Sequence, residues 1–112
     1  MAIKENIIDD VIILSASGKL MGGNETWEIH DKVKHLISYD FKKIVIDLSN
    51  IKWINSQGLG VLMTCVTSLK NADGAMAIAG AAERVSSLFM ITRLSTVFDT
   101  YESVDEAIAA LK

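Results

Sequence analysis

The stretch Asp47-Leu48-Ser49-Asn50-Ile51-Lys52-Trp53-Ile54-Asn55-Ser56-Gln57-Gly58-Leu59-Gly60-Val61-Leu62 decides the fold. Just before it, Ile44-Val45-Ile46 is a continuous apolar run bounded by Lys42-Lys43 and Asp47. That is the pattern of a short strand buried on both faces. Beyond it, Leu59, Leu62, Met63, Val66 and Leu69 repeat at helical spacing, and Asn71 to Gly74 stops the helix. Ser49 to Asn55 reads as a loop between the two. A buried strand, a loop and an amphipathic helix form the repeating unit of a parallel α/β sheet. Sites in such sheets lie at strand C-terminal ends and helix N-termini, which directs attention to Ser49–Gly60.

Working towards the N-terminus, residues 3–8 and 11–17 read as two strands. Asp9-Asp10 supplies a tight turn, and Gly18 ends the second strand. Gly22-Gly23 then breaks the chain. Asn24 can cap a helix with Glu25 in its first turn, and Ile29, Val33, Leu36 and Ile37 form one face. Towards the C-terminus, Ala75 to Ala79 is a small-residue buried strand closed by Gly80. Val85, Leu88, Phe89 and Thr92 mark a third helix, and Val97 to Tyr101 a short edge strand. Ser103-Val104-Asp105-Glu106 is a capping box that opens a last helix with Val104, Ala107, Ile108 and Leu111 on its apolar face. The expected order is ββαβαβαβα: an α/β fold with a mixed sheet, an opening hairpin and about four helices.

The chain has 112 residues, 50% of them hydrophobic and 22% charged, with no proline. One domain spanning 1–112 is expected, burying about two-thirds of its unfolded surface without disulfides or metal. The net charge is −3 with no basic stripe, so nucleic acid is a poor partner. No apolar run approaches the roughly 18 residues that span a bilayer, so membrane insertion is not expected. Asp9 and Asp10 interrupt the N-terminal apolar stretch, which therefore does not read as a signal peptide. A lone cysteine, Cys65, fits a reducing compartment, and a cytoplasmic location is the default expectation.

Catalytic readings fail one by one. Ile54-Asn55-Ser56-Gln57-Gly58 resembles a nucleophile elbow, but Ile54 stands where a glycine is required, and both histidines precede the serine. His30 and His35 are five apart on one helix and do not form a metal pair; no metal site is expected. Gly58-Leu59-Gly60 lacks the third glycine of a dinucleotide loop, since Met63 occupies that position, and no phosphate-loop lysine follows. These glycines read instead as a helix start packed closely on a strand. Cys65 reads as a buried, inert thiol. No cofactor is expected. Two features point to binding rather than chemistry. Leu88-Phe89-Met90-Ile91 is apolar on both faces of a short helix and can reach the surface. Ser56 sits at a helix start, where unpaired N–H groups and a partial positive charge stabilise an added phosphate. Phosphorylation there can leave the fold intact and still block a partner.

The stretch 47–62 also resembles the signature of STAS domains, specifically the bacterial anti-sigma-factor antagonists, with the pattern D-L-S-x-[IV]-x-[FY]-[IM]-D-S-[ST]-G-[LI]-[GA]. Ser17-Gly18-Lys19-Leu20 is similar to the entry to the family's first loop, and Phe98 to Ala107 to its closing strand and helix. The resemblance implies a binding module, not an enzyme. It implies as partner an anti-sigma factor that is also a serine kinase, bound so as to release a sigma factor. It implies phosphorylation of Ser56 as the off-switch, with a PP2C-type phosphatase to reverse it. The partner surface implied is the first loop (Met21, Gly22, Gly23, Asn24), the helix start (Asn55, Ser56, Gln57, Gly58, Leu59) and Leu88, Phe89 and Met90. Two departures stand out. Asn55 replaces the pattern's Asp, and Met21-Gly22-Gly23 stands where an Asp commonly follows the leucine, giving a less acidic, more flexible loop. They leave open an alternative job for the same fold: a STAS subunit of a lipid-transport or signalling assembly without a phosphorylation switch.

Overall fold

The structure, a computed structural model, describes residues 2–81 and 99–112. In chain order the elements are β1 (Ala2–Ile8), β2 (Val11–Leu20), α1 (Asn24–Ser38), β3 (Lys43–Ile54), α2 (Ser56–Asn71), β4 (Ala75–Ala79), β5 (Asp99–Tyr101) and α3 (Val104–Leu111). They match the expected order. The helix expected around Val85–Thr92 lies outside the described residues.

The described strands form one mixed sheet in the order β1-β2-β3-β4-β5. β1 and β2 pair antiparallel through a two-residue connection, Ile8 opposite Val11, with Asp9 at φ 57°. The remaining pairs are parallel. The strands step in one direction from β2 to β3 to β4. Crossovers of one hand then leave both α1 and α2 on the same face. That face holds the larger core, in which Ile12, Leu14, Ile44, Ile46 and Leu48 meet Ile29, Val33, Leu59, Leu62 and Leu69. α3 covers part of the other face, over Val11, Ile13, Val45, Ala77 and Ala79. β2 and β3 are therefore buried on both faces along their first halves, which is why their sequences run apolar without alternation.

Two strands run further than the sequence suggests. β3 continues through Ser49–Ile54, the expected loop, and β2 continues past Gly18 to Leu20. The register explains why. Ser15 to Ser17 faces Asp47 to Asn50, and Gly18 to Lys19 faces Ile51 to Trp53, so β3 carries an extra residue at each of two irregularities. Each one shifts the in–out phase: Ser49 and Asn50 are both exposed, whereas Ile51 is buried. A strand whose phase slips twice shows no period-2 signal. Gly18 adopts φ 112° inside β2, beside the second irregularity, instead of ending the strand.

The helix ends follow local chemistry. Gly23, not Asn24, is the N-cap of α1, and no side chain caps it from that position. Thr26, 2% exposed, works from inside the first turn, its hydroxyl accepting from the Gly22 N–H at 3.0 Å. α1 and α2 both end in Schellman motifs. Phe41 N–H reaches Leu36 O and Gly74 N–H reaches Leu69 O, with Asp40 (φ 69°) and Asp73 (φ 61°) in the left-handed position. The α3 cap is as expected, Ser103 Oγ accepting from Glu106 N–H at 3.2 Å.

Cys65 is fully buried in α2, and burial pushes its thiol up to about 12. The thiol stays protonated at pH 8 and unreactive. A disulfide-exchange reagent at pH 8 is expected to leave the native protein unlabelled and to label it fully in denaturant. The unfolded thiol ionises near 9.0 and the folded one near 12. This group's contribution to stability is therefore complete below pH 9 and is lost as the pH rises towards 12.

Candidate functional site

β2 and β3 finish side by side, Leu20 opposite Ile54. The loop after β2 and the start of α2 after β3 therefore share one end of the sheet, as sites do in parallel sheets. Asn55 joins them. Its backbone N–H donates to Leu20 O at 3.2 Å. Its side-chain Oδ1 accepts from Gly58 N–H at 2.9 Å, capping α2, and its Nδ2 donates to Met21 O at 3.1 Å. Ile54 and Leu59 occupy the N′ and N4 positions of a hydrophobic staple, which sets the entry angle of the helix.

The glycines allow this close approach. A Cβ on Gly58 would lie 2.1 Å from Leu20 O, and one on Gly22 (φ +92°) 2.5 Å from Gln57 Cβ. The reading of a helix start packed on a strand thus holds for Gly58. It fails for Gly60, where a Cβ would meet nothing within 4 Å. Gly58 N–H is also committed to the Asn55 cap, so these glycines do not form a phosphate-cradling loop.

Ser56 is the first residue of α2 and is exposed, with Gln57 exposed beside it. Its hydroxyl has no hydrogen-bond partner among the described residues. The first turn of α2 contains no acidic residue, and the cap is a neutral amide. Nothing within that turn therefore opposes the positive end of the helix dipole.

The structure brings together Met21, Gly22, Asn55, Ser56, Gln57 and Gly58. Gly23 and Asn24 stand exposed at the start of α1. Leu59, expected in the contact set, is 1% exposed and belongs to the core; as the N4 staple residue it anchors the helix start from below. Leu88, Phe89 and Met90 lie outside the described residues. His30 sits 3.3 Å from Ser68 Oγ and edge-on to Trp27, and His35 lies against Tyr39. His30 is partly buried between the two helices, while His35 is exposed. No group of three metal-ligating side chains occurs among the described residues.

Sequence reasoning missed the apolar surroundings. Met21, Trp27, Trp53 and Met63 all expose substantial surface, Trp53 as much as 50% of its own. An open groove of about 470 Å³ is lined by Gly22, Trp27, Gln57, Gly60, Val61 and Thr64. Trp27 carried a usable signal: it falls out of phase with Ile29, Val33 and Leu36 on an otherwise amphipathic helix. Trp53 carried none, because it follows the second phase slip of β3.

Three comparisons place this arrangement among known proteins. A candidate anti-sigma factor antagonist from Thermotoga neapolitana is 27% identical over 91% of this chain and 90% of its own length. The crystal structure of a candidate anti-sigma factor antagonist from Thermotoga maritima superposes with a TM-score of 0.85 at 25% identity, covering 97% of this chain and 93% of that one. The Bacillus cell fate determinant SpoIIAA in its phosphorylated form shares the fold, with a TM-score of 0.74 at 15% identity over 99% of this chain and 100% of that one. Residues 2–107 match the STAS domain family, and the chain belongs to that family.

Proposed function

We propose that this chain is an anti-sigma-factor antagonist, a binding module whose affinity for its partner is switched by phosphorylation of Ser56. The observation that carries the reading is the exposed Ser56 hydroxyl at the first position of α2, directly beside the Met21–Gly23 loop. A phosphate there adds nearly two negative charges and three acceptor oxygens, and the helix N-terminus favours the anion. The fold therefore tolerates the modification. A partner docking over this helix start and the exposed Met21 and Trp27 beside it meets a hydrated dianion, which it must desolvate or avoid. The names of the Thermotoga relatives and the phosphorylated state of the Bacillus protein support the same reading.

The partner in this reading is an anti-sigma factor with serine kinase activity, and a PP2C-type phosphatase restores binding. Met21, Gly22, Gly23, Asn24, Asn55, Ser56, Gln57 and Gly58 supply contacts or shape them; Leu88, Phe89 and Met90, which the family resemblance adds to the contact set, lie outside the described residues. The test uses the kinase-like protein recovered from the source cells with this chain as bait. Incubation with ATP is expected to place one phosphate on the peptide containing Ser56 and none on the Ser56→Ala chain. Ser56→Asp is expected to weaken partner binding at least about tenfold, equivalent to about 1.4 kcal/mol, while Ser56→Ala stays near wild type. Equal affinities for the two variants, with no phosphate on Ser56, would overturn the switch.

A further inference from the structure

We propose that Asn55 is a positioning residue. Its side-chain amide locks the Met21–Gly23 loop to the start of α2, and an ionised aspartate at the same position could not do so. The clamp rests on the hydrogen-bond geometry alone; only its consequence for docking rests on the function proposed above.

All four polar groups of Asn55 are engaged. The backbone N–H goes to Leu20 O, and the backbone carbonyl accepts from Leu59 N–H at 3.0 Å. Oδ1 takes the Gly58 N–H, and Nδ2 gives to Met21 O. The amide has one workable orientation. Flipping it would set its NH₂ against the Gly58 N–H and its oxygen against the Met21 carbonyl, opposing two like dipoles at once. The side chain is thus a relay between two segments that are 34 residues apart in sequence.

The loop needs such a tie. It contains consecutive glycines, and Gly22 sits at φ +92°, so its backbone has much freedom to lose. On the α1 side it is held by Gly22 N–H donating to Thr26 Oγ1. On the α2 side Gly22 presses against Gln57, and the bond to Asn55 Nδ2 is the polar link. Aspartate has nearly the same shape. It would keep the cap through one oxygen and gain from the helix dipole. At neutral pH, however, its second oxygen would face the Met21 carbonyl with no proton to share. Asn and Asp therefore differ here by one hydrogen bond, and that bond is the one that holds the loop. Asn55 stands where the family pattern carries Asp, so in this chain the loop is fixed before any partner arrives, which lowers the ordering cost of docking.

Amide exchange by NMR on the full chain separates the two ends of the clamp. Gly22 N–H reports the loop and Gly58 N–H reports the cap. In Asn55→Asp, Gly22 is expected to exchange about tenfold faster, as for the loss of one net hydrogen bond, with Gly58 unchanged. Asn55→Ser, which keeps a cap acceptor but has no amide, is expected to behave like Asn55→Asp. In Asn55→Ala both amides exchange faster. An unchanged Gly22 in Asn55→Asp and Asn55→Ser overturns the clamp, as does a parallel rise of Gly22 and Gly58 in Asn55→Asp, which marks simple loss of the cap. Partner affinity is read separately. If the loop loosens and affinity does not change, the clamp stands and the docking role of the loop falls.

Discussion

Gly58→Ala is expected to lower the free energy of unfolding by about 3 kcal/mol, at the upper end of what overpacking a well-filled interior costs. The sign runs against helix propensity, since alanine is favoured over glycine by up to about 1 kcal/mol in a helix interior. Geometry decides the outcome. The new Cβ would lie 2.1 Å from the carbonyl oxygen of Leu20 and 2.8 Å from its carbon. Both are backbone atoms of a strand buried in the sheet, and neither can rotate away. The start of α2 must lift off β2, which also stretches the Asn55 cap, worth about another 1 kcal/mol. Gly60→Ala is the control. It lies in the same helix two residues on, with nothing within 4 Å of the new methyl, and is expected to stabilise by roughly 0.5–1 kcal/mol. Urea unfolding of the two variants beside wild type checks both signs. A Gly58→Ala midpoint at or above wild type would show that the helix does not approach the strand this closely.

Leu59→Ala is expected to cost about 2–5 kcal/mol, the range for emptying a buried leucine site. Leu59 is 1% exposed, in the core formed by α1, α2 and the sheet. It lies at the second link between the helix start and the strand end, opposite the Ile54 staple position. Total stabilities of small domains run to about 5–15 kcal/mol, so this one change removes a large fraction. The measurement is the denaturant midpoint at unchanged slope. A loss below about 1 kcal/mol would mean that the side chain is not buried as described. The same variant separates two roles for the residue. If Leu59 were a contact residue, partner binding would fall with stability intact; as a core residue it loses stability first.

Much of the candidate site was legible because it depends on local chemistry. Asn55 and Ser56 at a helix start follow from an apolar periodicity that begins at Leu59 and from the preference of short polar side chains for caps. The exposure of Ser56 follows as well, since the first residue of a helix that faces away from the sheet has nothing above it. The role of Gly58 was legible as a kind of contact, though not its partner. Leu59 was misplaced because a residue four positions into a helix can face either way, and sequence spacing alone assigns it to a site as readily as to a core.

The order of strands and helices, the buried faces of α1, α2 and α3, and the helix start at Ser56 were written in the amino-acid pattern. Each arises from residues close in the chain: an apolar period, a cap or a turn residue. The tertiary structure alone decided the rest. The extension of β2 and β3 beyond Gly18 and Ser49 depends on two register slips between strands that are distant in sequence, and a slip leaves no periodic trace in either strand alone. The bond from Asn55 to Met21, the closeness of Gly22 to Gln57, and the meeting of Trp27 with Gln57 around one groove likewise join segments some thirty residues apart. Their partners are chosen by where the parallel strands end, and that is set by packing of the whole sheet, not by any local stretch.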